Sequence, residues 1–457
     1  MNNANQQKAH LVIVGNGMAT GRLLDELIKR DANAYNITVI GDEPEGSYNR
    51  IMLSPVLAGE TELATIINKP AAWYAQNNIR FVAGVRANAI NRQAQTVALA
   101  DGSCIAYDEL VIATGSRPAL IPAKNQHLQN IFSFRTIEDV NSIASCAQAG
   151  RKAVVVGGGL LGLEAAYGLA QKGVQVTLVH RSKGLLNRQL DSGAGEFLQQ
   201  VMASKNIQFA LGTEVAAFNR GALGGSGFES ETLKSATLTN GETIECDLAV
   251  ISTGITPNKE LGQEAGLACG RAIIVDDFMT SSDNRISALG ECCEHKGETF
   301  GLVEPIWHQC ISLAEKLCFK RNVAFVNPVV ATKLKVSGVQ LFSAGEHLTG
   351  DDCREIKMVD VKNKIYRKLV LRNNRIVGVV LFGDTRSGAD YFELMQQAVD
   401  VSSVAALLIM GKAFYAEQLQ AAQNLNQCAN QADFAQADSL NTASTTVSKN
   451  ANNDIAA

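Results

Sequence analysis

The chain has 457 residues, 46% of them hydrophobic, and a formal net charge of −4. That length leaves room for two or three domains, each with its own core. The balanced charge offers no basic patch for nucleic acid. The longest apolar stretch near the end, Val404–Met410, is too short to span a bilayer.

Residues 1–10 are polar and lack the apolar core of a signal peptide, so a cytoplasmic protein with no membrane association is expected. The ten cysteines at 104, 146, 246, 269, 292, 293, 310, 318, 353 and 428 show no metal-ligand spacing. Only Cys292 and Cys293 are close, and adjacent cysteines make poor joint ligands and a strained disulfide. Reduced, buried thiols are therefore expected, and no metal.

The first element is the run Leu11-Val-Ile-Val-Gly15-Asn-Gly17-Met18, a β-branched strand followed by close-set glycines and a helical pattern. In that context the glycines let backbone approach a pyrophosphate at a helix N-terminus. Thr20 stands at the third glycine position. The strand Ile37–Ile40 follows, ending in Gly41, Asp42 and Glu43. Next come Ile79–Gly84, Thr96–Gly102 with an Asp-Gly hairpin signal, and Tyr107–Gly115, a buried strand ending in Thr114-Gly115.

The same order then repeats. Ala153-Val-Val-Val-Gly157-Gly-Gly159-Leu-Leu161-Gly162-Leu-Glu164 is a second glycine turn about 140 residues after the first. Val176–Val179 precedes His180-Arg181-Ser182-Lys183. Ile207–Gly212, Ala236–Gly241 and Cys246–Gly254 complete the copy, again ending in Thr-Gly. One such motif is weak evidence of a nucleotide; two in register describe a chain that holds two dinucleotides.

Ala272–Asp276 and Arg285–Glu291 continue the first half, with Gly290 and Glu291 able to approach a bound cofactor's ribityl–phosphate chain. The reading is therefore an α/β fold of two Rossmann-like dinucleotide-binding domains (three-layer ββα type), the second inserted in the first. A small C-terminal α+β domain follows. The expected limits are 8–120 with 248–327, then 121–247, then 328–415, with 416–457 too poor in large apolar groups to offset its ordering entropy. In the third unit, Tyr366–Arg372 and Ile376–Phe382 read as strands joined at Asn373-Asn374.

With these residues assembled, the chain resembles the two-dinucleotide-fold flavoproteins of the pyridine nucleotide–disulfide oxidoreductase superfamily. It looks most like the flavin portion of NAD(P)H nitrite reductase large subunits, and like rubredoxin and ferredoxin reductases. The stretches that carry the likeness include Gly15–Met18, Tyr48–Ser54, Ala113–Gly115, Phe134–Asp139, Gly157–Ala165, Ser252–Gly254, Gly290–Cys292 and Gly383–Thr385.

The resemblance implies FAD in the first domain against Gly15, Gly17 and Met18, with Asp42 or Glu43 on the adenosine ribose. Arg50, Thr114 and Gly115 would lie close to it, and Gly290 and Glu291 near the ribityl chain. Pro55 stands where many ferredoxin reductases carry a lysine. Trp307 and His308 would open a helix aimed at the flavin pyrimidine, with Trp307 as core packing the alternative. NAD(P)H would lie against Gly157, Gly159, Leu161, Gly162 and Gly254, with Glu164 near the nicotinamide. At the adenosine edge stand His180, Arg181 and Lys183 where an acid would select NAD. This edge is either a phosphate grip that admits NADPH or a solvated basic turn.

Hydride transfer between stacked rings requires no protein acid or base, so Glu164 and His308 are only weak catalytic candidates. No cysteine lies between Gly15 and Tyr74, which argues against disulfide-reductase chemistry. Electrons would leave for a separate protein: a nitrate or nitrite reductase subunit, a rubredoxin or a ferredoxin. With only Cys428 after the third unit, the chain would be a detached NAD(P)H-oxidising component of nitrate or nitrite reduction. A reductase of another pathway and a redox-sensing flavoprotein are the alternatives. The third unit would cover the flavin or make a homodimer contact, and its Gly383-Asp-Thr-Arg386 loop would dock the partner.

Overall fold

The computed structural model describes residues 8–222, 229–334 and 336–425. Two parallel five-stranded sheets dominate it, and they match position for position. In the first, the order is Ile286–Ala288, Glu109–Ile112, His10–Val14, Asn36–Ile40, Ile79–Val82. In the second it is Ile131–Ser133, Leu248–Ile251, Lys152–Val156, Gln175–His180, Ile207–Leu211. Each glycine-turn strand is central, and its apolar run is buried because helices and sheet cover both faces.

Each sheet is followed by a three-stranded antiparallel meander: Ala87–Asn91, Thr96–Leu99 and Cys104–Ala106 in the first half, and Val215–Ala222, Glu229–Leu238 and Thr243–Glu245 in the second. The internal repeat is thus tertiary as well as sequential.

The repeats differ in where their edge strand originates. The first sheet takes Ile286–Ala288 from far downstream; the second takes Ile131–Ser133 from just upstream. The two passages between halves, Ser116–Pro118 and Ile255–Pro257, pair with each other antiparallel. Asn258 fastens them, donating from Nδ2 to the Thr114 carbonyl at 2.9 Å while the Thr114 hydroxyl donates to the Asn258 carbonyl at 2.9 Å.

Leu248–Ile251 is the parallel neighbour of Lys152–Val156 and therefore belongs to the second sheet. The expected boundary between 247 and 248 cuts this sheet and moves to beyond Ile251. The reason is the repeat itself, since the equivalent strand Glu109–Ile112 lies beside His10–Val14.

Helix Met18–Asp31 and helix Val303–Phe319 pack together under the first sheet. Arg30 Nε reaches Glu315 at 2.8 Å, and the Tyr35 hydroxyl donates to the Leu317 carbonyl at 3.1 Å.

By compactness the chain forms two units. Both dinucleotide-type sheets lie in the first; the second gathers Gln189–Ala194, Ala331–Lys333 and the chain from Gln340. Within the second unit an antiparallel sheet runs Ala331–Thr332, Leu341–Gly345, Arg375–Phe382, Ile365–Arg372, Arg354–Asp360. Its central hairpin turns at Asn373 and Asn374, both at positive φ (50° and 57°), the geometry a two-residue turn between twisted strands needs.

The expected tail from 416 is corrected at its start. Residues 412–425 are helical, and Tyr415 and Leu419, one turn apart, are buried with Tyr391 and Leu408. Two well-placed apolar side chains are enough to seat the helix, despite the polar composition. The rest of the expected tail, 426–457, lies outside the described residues.

Candidate dinucleotide sites

The first glycine turn is held by what its residues lack and what Thr20 adds. Gly15 has φ +103°, and a Cβ there would stand 2.2 Å from the Ala113 carbonyl oxygen. Helix Met18–Asp31 starts from Gly17 without a side-chain cap, leaving its first N–H groups for a ligand. Thr20, fully buried, donates its hydroxyl to the Gly15 carbonyl at 2.7 Å. The hydroxyl thus bonds the carbonyl that a glycine at this position would merely clear.

Around this turn two ion pairs join into one chain. Arg50 pairs with Glu43, which also accepts from the Tyr48 hydroxyl at 2.7 Å. The Arg50 Nε is 3.9 Å from where a Gly17 Cβ would be, and its Nη1 donates to the Arg135 carbonyl at 3.0 Å. The Arg135 guanidinium pairs with Glu291, which accepts from Ser116 Oγ at 2.8 Å. A Cβ on Gly115 would lie 3.6 Å from Arg135 Nη2 and 3.8 Å from Glu291 Oε2. Gly17, Arg50, Glu43, Gly115 and Glu291, scattered over 275 residues, therefore stand in one connected cluster.

Of the two acids considered for the ribose, Glu43 joins this cluster while the Asp42 side chain is exposed. Burial pushes the Tyr48 hydroxyl far above its usual range, so it serves as a fixed donor.

Three residues joined to this cluster were not singled out from sequence. Arg135 is set by a capping box in which Thr136 and Asp139 satisfy each other's backbone; Asp139 also accepts from the Arg135 N–H at 2.8 Å. The Thr-x-x-Asp spacing was legible, but its link to Glu291 was not. Ser116 carried no signal. Gln309 interrupts an apolar helix face, fully buried: its Oε1 accepts from the Gly290 N–H at 2.8 Å. Gly290 itself has φ +86°, with Ala19 Cβ 3.2 Å from where its own Cβ would be.

The helix start expected at Trp307 and His308 is corrected. Their helix begins at Val303, before Pro305, because proline fits the first turn, where its missing N–H is not needed. Trp307 and His308 therefore lie in the second turn. The Trp307 ring packs on the core under the Arg22 guanidinium, 5.8 Å from centroid, and His308 is exposed.

The second glycine turn repeats the first. Gly157 has φ +123°, and a Cβ would be 2.2 Å from the Ser252 carbonyl oxygen, the counterpart of Gly15 against Ala113. A Cβ on Gly162 would stand 1.9 Å from the Gly157 carbonyl, so this copy needs its third glycine. Gly159 begins helix Leu160–Gln171 with open space where its Cβ would be, as has Gly254 at φ +122°. Leu161 is 40% exposed beside it.

His180 packs its ring over the turn: a Cβ on Gly158 would stand 2.6 Å from its Cδ2. Burial, aided by neighbouring Arg181 and opposed by Asn187, holds the imidazole below its usual pKa. Arg181 and Lys183 are exposed. Glu164, in contrast, is buried and accepts from Ser54 Oγ at 2.6 Å.

Both turns fit a dinucleotide, since each pairs a sterically enforced glycine with an uncapped helix start. The described cysteines fit no redox pair. Cys292 donates to the Leu289 and Ile112 carbonyls at 3.3 and 3.4 Å, and burial raises Cys292, Cys293 and Cys310 above the ordinary thiol range. All nine described cysteines are free, and no metal-ligand cluster occurs among the described residues. No described helix is long and apolar enough to cross a membrane.

The loop Gly383–Arg386 has a structural role in its own unit. Asp384 accepts from Arg367 Nη2 at 2.7 Å and from Arg386 at 2.7 Å, and a Cβ on Gly383 would be 2.3 Å from the Lys364 carbonyl.

Fold and site together define a double dinucleotide-fold oxidoreductase. Residues 9–311 match the pyridine nucleotide-disulphide oxidoreductase model, and 331–399 the rubredoxin NAD+ reductase C-terminal domain model. The chain belongs to the pyridine nucleotide-disulphide oxidoreductase family, whose members here are FAD-containing, NAD(P)H-dependent reductases.

It is 38% identical over 403 residues to a nitrite reductase [NAD(P)H] of Bacillus subtilis (strain 168), covering 88% of this chain and 49% of that protein. It is 35% identical over 396 residues to the assimilatory nitrate reductase electron transfer subunit of the same organism, covering 87% and 50%. The chain thus spans about half the length of these curated relatives. The fold matches putidaredoxin reductase in its covalent complex with putidaredoxin (TM-score 0.80, 24% identity, 91% of this chain and 99% of that one).

Proposed function

We propose that this chain draws electrons from NAD(P)H onto FAD and passes them to a separate protein, as the electron-transfer component of nitrate or nitrite reduction. The observation that carries the reading is the pairing of two equivalent, uncapped glycine turns within one compact unit. Similarity to the two Bacillus proteins supports the pathway part of this reading.

FAD held there would supply the redox chemistry that links a pyridine nucleotide to an onward electron acceptor. The protein's own residues bind and orient. Gly15, Gly17 and Met18 would bring backbone to the pyrophosphate, with Arg50 beside it and Glu43 on the ribose. Thr114, Gly115, Arg135, Gly290 and Glu291 would border the ribityl chain. The Arg135–Glu291 and Arg50–Glu43 pairs keep this cluster near neutral, so that an anionic cofactor would meet no unpaired carboxylate. Gly157, Gly159, Leu161, Gly162 and Gly254 would receive the second nucleotide, with Glu164 toward its nicotinamide end. Arg181 and Lys183 would favour a 2′-phosphate over a free hydroxyl. No catalytic acid or base is assigned.

A second reading, a rubredoxin- or ferredoxin-type reductase, is favoured by the match of residues 331–399 to the rubredoxin reductase C-terminal domain. The free cysteines accord with a reducing, cytoplasmic setting. Anaerobic reduction of the yellow protein with NADPH or NADH, followed by addition of a nitrite reductase, a nitrate reductase or rubredoxin, separates the readings. Reoxidation by rubredoxin alone would overturn the first.

A further inference from the structure

Ser54 and Glu164 are 110 residues apart, both almost fully buried, and bonded at 2.6 Å. Ser54 lies in helix Leu53–Ala58, directly after the short turn Arg50–Met52 whose arginine borders the first glycine turn. Glu164 lies on helix Leu160–Gln171, two residues beyond Gly162 of the second turn. The bond therefore ties the residues beside one glycine turn to the residues beside the other.

The rest of the seam reinforces it along the same face of the second helix. A Cβ on Gly168 would stand 3.0 Å from Leu57 Cγ, so the two helices approach closely there. The Tyr167 hydroxyl lies 2.9 Å from Glu60 Oε1. Residues 164, 167 and 168 thus share one helix face, as spacings of three and four require. Ser54 is followed by Pro55, which has no N–H to offer, and the serine hydroxyl donates to the carboxylate.

We propose that Ser54 is a positioning residue, whose hydroxyl fixes the Glu164 carboxylate and through it the separation of the two dinucleotides. This rests on the two-nucleotide reading above. A hydride moves only between rings held at near-attack distance, and misplacement on the order of 1 Å costs roughly a hundredfold in rate. A short bond between buried partners is the kind of constraint that holds such a distance.

The test uses FAD-loaded full-length protein and anaerobic stopped-flow reduction by NADPH and NADH. Ser54→Ala is expected to keep its FAD and to bind NADP+ within about twofold of wild type, while the limiting rate of flavin reduction falls about ten- to a hundredfold. The long-wavelength absorbance shared by a stacked nicotinamide and flavin should weaken in parallel. Ser54→Thr, which keeps the hydroxyl, should recover most of the rate. Combining Ser54→Ala with Glu164→Ala should be no slower than Glu164→Ala alone, because both remove one interaction.

An unchanged reduction rate in Ser54→Ala, or additive losses in the double variant, overturns the proposal. So does a lowered thermal midpoint with the rate intact, which marks the bond as structural only. If neither nucleotide reduces the wild-type flavin, the two-nucleotide reading itself fails and this inference falls with it.

Discussion

Replacing Arg181 and Lys183 with alanine tests how the second nucleotide is chosen. Both side chains are exposed at the end of strand Gln175–His180, where the ring of His180 covers Gly158 and positions 180–183 hold no acid. A hydrogen bond to a charged group contributes about 1.5–3 kcal/mol when sheltered. Solvent exposure reduces each of these contacts to about 1 kcal/mol. Two of them give about 2 kcal/mol, or roughly thirtyfold in affinity.

The double variant should therefore raise the KM for NADPH about thirtyfold while leaving NADH nearly unchanged. The difference should shrink in high salt, which screens exposed charges. It should also shrink below about pH 6, where a phosphate monoester gains its second proton. Steady-state kinetics with both nucleotides at two ionic strengths measures all of this. Equal loss with NADPH and NADH, or no loss with either, would refute the phosphate-grip argument and leave a solvated basic turn.

Thr20→Val removes the buried hydroxyl that donates to the Gly15 carbonyl and should cost about 1–3 kcal/mol; FAD content and thermal midpoint read it, and unchanged values would show that the carbonyl has another partner. Gly162→Ala forces a Cβ to 1.9 Å from the Gly157 carbonyl, so nucleotide binding should be lost while FAD stays bound, as difference spectra would record. In the second unit, Lys368 holds Glu355 at 3.0 Å and draws its carboxyl down to about 2, below the unperturbed 4.5. That contribution is present above pH 4.5 and is lost as pH falls toward 2. The gap in thermal midpoint between wild type and Glu355→Gln, corresponding to about 1 kcal/mol, should close over that window; a gap independent of pH sinks it. Arg386, 87% exposed, is the clean probe of partner docking at its loop: Arg386→Ala should slow reduction of the protein acceptor and spare ferricyanide. Asp384→Ala should instead lower the thermal midpoint, because Arg367 loses its carboxylate partner.

Local chemistry wrote much of this protein into its sequence. The glycine turns, the Thr-Gly strand ends, the Asn-Asn hairpin and the repeat order depend on backbone conformation and periodicity, which neighbouring residues dictate. Their positive φ values and close approaches to carbonyl oxygens leave few substitutes, so the pattern is visible without a fold. Tertiary structure alone decided the rest. It chose Glu43 over Asp42, joined Arg135 to Glu291 across 156 residues, and set Gln309 on Gly290. It moved Trp307 off the helix start and brought Ser54 to Glu164. Those outcomes rest on pairings between side chains far apart in the chain, and a one-dimensional pattern carries no record of which distant group a buried charge will meet.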